Sequence, residues 1–157
     1  MSARLLQFCG VLLVSGMVCA IALPTLDAHL GIVFPSEKVR DLLRQCSRET
    51  PRVDGTWTPD QNQITTLEKG LVAPLVAADA VQNYKRDILH VARQYGGIVV
   101  SGHKLIYVNG FSTDSSLAKR NWRRDAVRVC DGGPNFFGVE YDPANGTFTG
   151  FVFNGVP

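Results

Sequence analysis

An α+β fold is predicted, with N-terminal helices packed on one face of an antiparallel, roughly five-stranded meander sheet. Three features predict it. Apolar residues recur at helical spacing between Pro35 and Ala92. From Gln94 onward they alternate, the period of a strand with one side turned to a core. Short turn sequences separate the alternating runs, and elements segregated in this way suit a sheet covered by helices. With 157 residues, one domain is the expectation.

The first segment stands outside that domain. Arg4 is the only charge before Asp27, and Leu5 to Leu23 is almost unbrokenly apolar. A positive start, an apolar run and Ala20-Ile21-Ala22 as a small-x-small site predict a secretory signal peptide over residues 1–22, cleaved after Ala22. The alternative is an uncleaved membrane anchor, since the run has about the length that spans a bilayer. Lipid attachment at Cys19 is disfavoured by the bulky Met17-Val18 before it. Residues 23–34 read as a lead-in and residues 35–157 as the single α+β domain.

Export changes how the cysteines read. Cys9 and Cys19 fall in the leader, which leaves Cys46 and Cys130. Two cysteines in an oxidising compartment most simply form one disulfide; the alternative is two unpaired buried thiols. The bond would close a loop of about 85 residues, worth ~4–5 kcal/mol in the chain-entropy picture. This spacing makes no zinc motif, and no metal or cofactor is expected. Loss of Arg4 with the leader leaves 15 Lys and Arg against 14 Asp and Glu. That balance calls for neither nucleic acid nor an acidic membrane surface. A membrane enters only through the N-terminal segment, if it stays uncleaved.

Taken in order, Pro35-Ser36 opens a helix with Ser36 as N-cap, and Val39, Leu42, Leu43 and Cys46 share its buried stripe. Residues 47–57 form a polar loop ending at Trp57. Thr58-Pro59-Asp60-Gln61 starts a second helix, with threonine capping, proline at the first helical position and glutamine completing a capping box. Its stripe is Ile64, Leu67, Leu71 and Leu75, and Gly70 with Pro74 predicts a kink or break. A further helical segment covers residues 77–92, carrying Val81, Tyr84, Ile88, Leu89 and Ala92.

Tyr95 to Val100 and Lys104 to Phe111 then form a hairpin about Ser101-Gly102-His103. Residues 112–124 are a polar surface loop. Ala126 to Cys130 reads as a short strand with Val127 and Val129 inward. After the turn Asp131-Gly132-Gly133-Pro134, a last hairpin closes on Asp142-Pro143-Ala144-Asn145-Gly146, where proline and Asn-Gly supply tight-loop geometry. Alternation sets Phe137, Val139 and Tyr141 opposite Phe136, Gly138 and Glu140. It sets Phe148 and Val152 opposite Thr147, Thr149, Phe151 and Phe153.

No catalytic set is recognisable, and no catalytic residue is assigned. His29, His90 and His103 are scattered, and the chain holds no G-x-S-x-G, no H-E-x-x-H and no Gly-rich phosphate loop. Asp131, Glu140 and Asp142 are better explained by turn and strand positions than as a glycosidase pair. The most informative surface is Lys119-Arg120-Asn121-Trp122-Arg123-Arg124, with Arg128 close by. Tryptophan and arginine are enriched at binding hot spots, and guanidinium groups match carboxylates or phosphates. Trp122, Arg123 and Arg124 are therefore binding candidates, against the plainer alternative of a solvated loop whose tryptophan folds into the core. Tyr95, Tyr107 and Asn109 are a second candidate group, lining one open sheet face; core packing competes for the two tyrosines.

R-Q-Y-G-G-I-V at 93–99, L-I-Y-V-N-G-F at 105–111 and C-D-G-G-P-N-F-F-G-V-E-Y-D-P at 130–143 together resemble a family of small, uncharacterised exported bacterial proteins. The resemblance runs from Cys46 to the C-terminus. It implies an exported location and the domain limits; it carries no activity and no site residues. The expectation is a periplasmic or secreted protein, or one anchored in a membrane and facing away from the cytosol. It would be a non-enzymatic binding or inhibitor-type module acting on another envelope or extracellular macromolecule. The alternatives are a small hydrolase or small-ligand carrier with a pocket between helices and sheet, and a structural envelope component.

Overall fold

A computed structural model describes residues 26–82, 90–113 and 121–155. The predicted leader, Tyr84, Ile88, Leu89, Lys119 and Arg120 lie outside these residues. The elements are β1 (Gly31–Val33), α1 (Val39–Leu42), β2 (Gly55–Trp57), α2 (Gln61–Gln82), β3 (Val91–Val100), β4 (His103–Ser112), β5 (Phe136–Asp142) and β6 (Thr147–Phe153), with short 3-10 turns at Ala28–Leu30, Ser36–Lys38 and Gly133–Asn135. The class is α+β and the sheet mostly antiparallel. Its six strands run β1-β3-β4-β5-β6, with β2 also paired to β3.

The expected meander is therefore incomplete. β1 lies parallel to β3, with Val33 opposite Tyr95, and β2 lies antiparallel to it, with Thr56 opposite Ile98. The expected lead-in thus belongs to the domain: Leu26 is buried and residues 31–33 add a strand. The end of the expected 47–57 loop is a strand as well, because Trp57 bonds through its Nε1 to the carbonyls of Ile98 and Leu105 (3.0 and 3.2 Å).

The helices do not share one face. α2 buries Ile64, Leu67, Leu71, Val72 and Leu75 against Tyr95, Ile106, Val108, Phe137, Val139 and Tyr141. α1 buries Val39 and Leu42 on the opposite face, against Ile98 and Tyr107. A third cluster on that second face joins Ala92, Phe111, Trp122, Val127 and Phe136. Both faces are covered, which is why the strands carry large side chains on both sides.

α2 starts two residues later than its Thr-Pro signal suggests. Asp60 is the cap: its carboxylate accepts from the Gln63 N–H, and the Gln63 side chain accepts from the Asp60 N–H, both at 2.9 Å. The helix continues through Gly70 and Pro74 instead of breaking. An interior proline costs about 3 kcal/mol. Burial of the leucines on either side contributes roughly 1.5–3 kcal/mol each, so packing outweighs the missing hydrogen bond. Gly70 gives the Phe148 ring room to approach the helix. The predicted helix over 77–92 is overturned at its end, where Ala92 lies in β3.

α1 is shorter than expected, and Cys46 is not on its stripe. Ser36 is not its cap either: the 3-10 turn that precedes α1 begins at Pro35 with no side-chain cap. Side chains claim the helix's last carbonyls, Gln45 Nε2 donating to Leu42 O and Thr50 Oγ1 to Leu43 O (both 2.8 Å). The chain then turns away across the sheet.

The β3–β4 turn is the two-residue Ser101-Gly102, both at positive φ (49° and 79°), as a twisted hairpin requires. In the last hairpin, β5 has the predicted faces but β6 does not. Tyr141 pairs with Phe148, yet Phe137 pairs with Phe153. A bulge at Gly150, φ 62°, inserts one residue and reverses the alternation beyond it. Phe148, Phe151 and Phe153 consequently all pack toward the α2 side.

Residues 126–130 do not form the expected strand. Their backbone groups are taken by side chains. Val127 N–H donates to Gln94 Oε1 (3.0 Å), Val127 O accepts from Asn109 Nδ2 (2.9 Å) and Gln45 Nε2 (3.2 Å), and Val129 O accepts from Asn154 Nδ2 (2.7 Å). The segment crosses the sheet face, and β4 pairs directly with β5.

Candidate functional site: a stapled basic loop

Cys46 and Cys130 form the disulfide. It joins two irregular segments, not a helix to a strand, and both cysteines are exposed. Hydrogen bonds run parallel to it on either side. Gln45 ties to Val127 on one side. On the other, Arg48 donates to the Asn154 side-chain oxygen, and Asn154 Nδ2 donates to Val129 O and Asp131 O. Arg48 is buried and also donates to Asn109 Oδ1 and to Tyr107 Oη (3.1 Å). Gly138 leaves the space it occupies, since a Cβ there would sit 2.8 Å from Arg48 Nε. Burial pushes the Tyr107 phenol above its ordinary range, the Arg48 charge opposing.

This framework holds the basic loop. Asn121 O accepts from the N–H groups of Arg124 and Asp125, closing a turn. From beneath, the buried Gln94 amide donates to Trp122 O (2.6 Å) and Asp125 O (2.8 Å), and Asn109 donates to Gln94 Oε1 (2.9 Å). Trp122 itself is 7% exposed and packs edge-on against Phe111. It anchors the loop in the core and presents little ring to solvent. Arg123 stacks over its outer side at 4.2 Å and donates to His29 O (2.8 Å).

Arg124 and Arg128 line a cleft of about 250 Å³ together with Phe34, Lys38, Asp41, Asp125 and Ala126. Neither guanidinium has a hydrogen bond or ion pair among the described residues, and Asp41 pairs instead with Arg44 (3.6 Å). Lys38 Nζ reaches Arg124 O at 3.4 Å. Sequence reading finds Arg123 and Arg124 but not Lys38. Lys38 is eighty-six positions from Arg124 in the chain, and only the stapled fold brings the two together.

The second candidate group is not one site. Tyr95 faces α2, whereas Tyr107 and Asn109 face α1, because Tyr95 stands opposite Val108 while Gln94 stands opposite Asn109. All three are buried. Asn109 positions the basic loop. Tyr95 belongs to a second concavity of about 280 Å³ between α2 and β1, lined by Gly31, Val33, Gln61, Ile64 and Glu68 among others. There Glu68 Oε1 accepts from Tyr95 Oη (2.7 Å) and Arg93 Nη2 (2.8 Å), and Arg93 is fully buried. Burial raises the Tyr95 phenol strongly, with Arg93 opposing and Glu68 adding to the rise. Burial works against the Arg93 charge, but Tyr95 and Glu68 more than offset it.

His29 and His103 are exposed and distant from each other in the fold. Among the described residues, no group of three His, Cys, Asp or Glu is placed to hold a metal, and no helix is long and apolar enough to cross a membrane. No protein-family model, curated protein or solved structure matches the chain.

Proposed function

We propose that this chain is a non-enzymatic binding module, of inhibitor type, that acts on another macromolecule outside the cytosol. The observation that supports it is the cleft that Lys38, Arg124 and Arg128 line together, with two guanidinium groups that have no partner among the described residues. Cations held open on a pre-ordered loop lose little freedom on binding. The exported location, periplasmic or secreted, is part of the same proposal. It draws on the apolar leader and the disulfide, as does kinship with the small exported proteins that the 130–143 stretch resembles.

The test is affinity capture from envelope extract with the native protein and with Arg124→Glu/Arg128→Glu. These residues are exposed, so the variant should fold, unlike one truncated at Trp122. Equal recovery of every partner by both proteins would remove the loop from the account. A second reading, small-ligand carriage, is favoured by the α2–β1 concavity with its convergent Glu68 and Tyr95. It predicts that Ile64→Trp, which fills that space, abolishes ligand uptake while leaving partner capture intact.

A further inference from the structure

We infer that the occupant of the basic cleft is an acidic side chain, aspartate or glutamate, of a partner polypeptide. This rests on the reading of that cleft as a binding surface and names what enters it.

Three features select the chemistry. The first is charge geometry. Arg124 and Arg128 come from one segment and Lys38 from another, and all three line the cleft, so an anion there can meet two planar forks and one point charge. A carboxylate accepts such forks in a bidentate way. The second is the mixed lining. Asp41 and Asp125 stand in the same wall. They repel a dianionic phosphate more than a singly charged carboxylate, and they offer acceptors for the N–H groups that flank an acidic residue in a peptide. The third is the floor. Phe34 is buried there and Ala126 half-buried, an apolar base for the methylene groups of aspartate or glutamate that inorganic anions lack.

The cleft is also fixed in place. Gln94, Asn109 and Trp122 hold the 121–128 loop from below. Lys38 closes the 3-10 turn that leads into α1. The cations are thus presented before a partner arrives, and the partner supplies the missing acceptors.

The experiment is NMR titration of the isotopically labelled full domain with three probes: an acetylated Glu-Gly repeat peptide, its Gln-Gly counterpart and inorganic phosphate. Shifts at residues 34–41 and 121–128 are expected with the Glu peptide, and none with the Gln peptide. Arg124→Glu should weaken Glu-peptide binding roughly tenfold or more, as loss of a charge-assisted bond implies. Arg52→Glu makes the same charge change at another exposed arginine, and should weaken binding less than about twofold. Equal losses in the two variants would overturn the inference, since only overall charge would then matter. Tighter binding of phosphate than of the Glu peptide would overturn the ligand class while leaving the surface reading intact. Loss of partner capture in Arg124→Glu/Arg128→Glu, together with no peptide binding, would likewise sink this inference alone.

Discussion

Removing the Glu68 carboxylate should destabilise the fold far more than its partial exposure suggests. Arg93 is fully buried, and Glu68, 17% exposed, is its counter-charge at 2.8 Å. Breaking a buried pair from one side costs about 3–5 kcal/mol, because the remaining charge is stranded. Arg93 keeps its bonds to Tyr95 Oη and to the carbonyls of Val91 and Asp27. Water can also enter from the α2–β1 concavity, so the lower end applies: Glu68→Ala should cost about 3 kcal/mol. In a chain of this size that lowers Tm by roughly 6–12 °C. Glu68→Gln retains an acceptor but not the charge and should fall between. Glu68→Met/Arg93→Met should lose less than the sum of its single variants, by about 2 kcal/mol or more. Urea unfolding at neutral pH reads all of these variants. A loss under about 0.5 kcal/mol for Glu68→Ala would refute the stranded-charge reasoning.

The double variant Cys46→Ser/Cys130→Ser should lose about 4–5 kcal/mol, from the 84-residue separation that the bond closes; a urea midpoint within error of the native one would contradict it. Because both cysteines are exposed, a small dithiol should reduce the bond at a rate that low urea does not change. In Gly110→Ala the new Cβ overlaps the Phe137 ring, and displacing that ring should cost about 1–3 kcal/mol by thermal melt. Burial raises the Glu140 carboxyl above its ordinary value. Its stabilising contribution is therefore full below the unfolded pKa and lost as pH rises through the folded one. Glu140→Gln should remove this decline, so the difference between native and variant stability should shift across the carboxylate range and above it. Parallel curves from pH 4 to 7 would refute the cause.

What was legible in the sequence was whatever depends on neighbours along the chain. Ser101-Gly102 and Asp142 to Gly146 are turns made of residues that tolerate them, and the β3, β4 and β5 faces follow from alternation alone. The disulfide followed from there being two cysteines beyond the apolar first segment. What failed depended on distant partners. The 126–130 run alternates like a strand, but Gln94, Asn109 and Asn154 bind its backbone from three other segments. The β6 parity turns on one glycine, and nothing local separates a bulging Gly150 from an ordinary one. For Trp122 and the two tyrosines the sequence leaves recognition and core packing both open, because aromatics suit either role. Burial decides between them, and burial is a property of the whole fold. The 130–143 stretch is absorbed by architecture: Cys130 bonds, Gly132 turns at φ 101°, Phe137 and Tyr141 fill the core, and Asp142 caps its own loop.

β3 carries two short neighbours on a single margin, β1 along its first half and β2 along its second. Each contributes only three residues, so neither can persist alone once the other peels off. The intervening stretch, with α1 and Cys46, should open as one cooperative unit while the β3–β4–β5 ladder stays closed. Amide exchange would then sort the molecule into a slow ribbon and a fast flap. The cystine would be the hinge pin that keeps the flap, and Lys38 with it, from drifting away from Arg124 between openings.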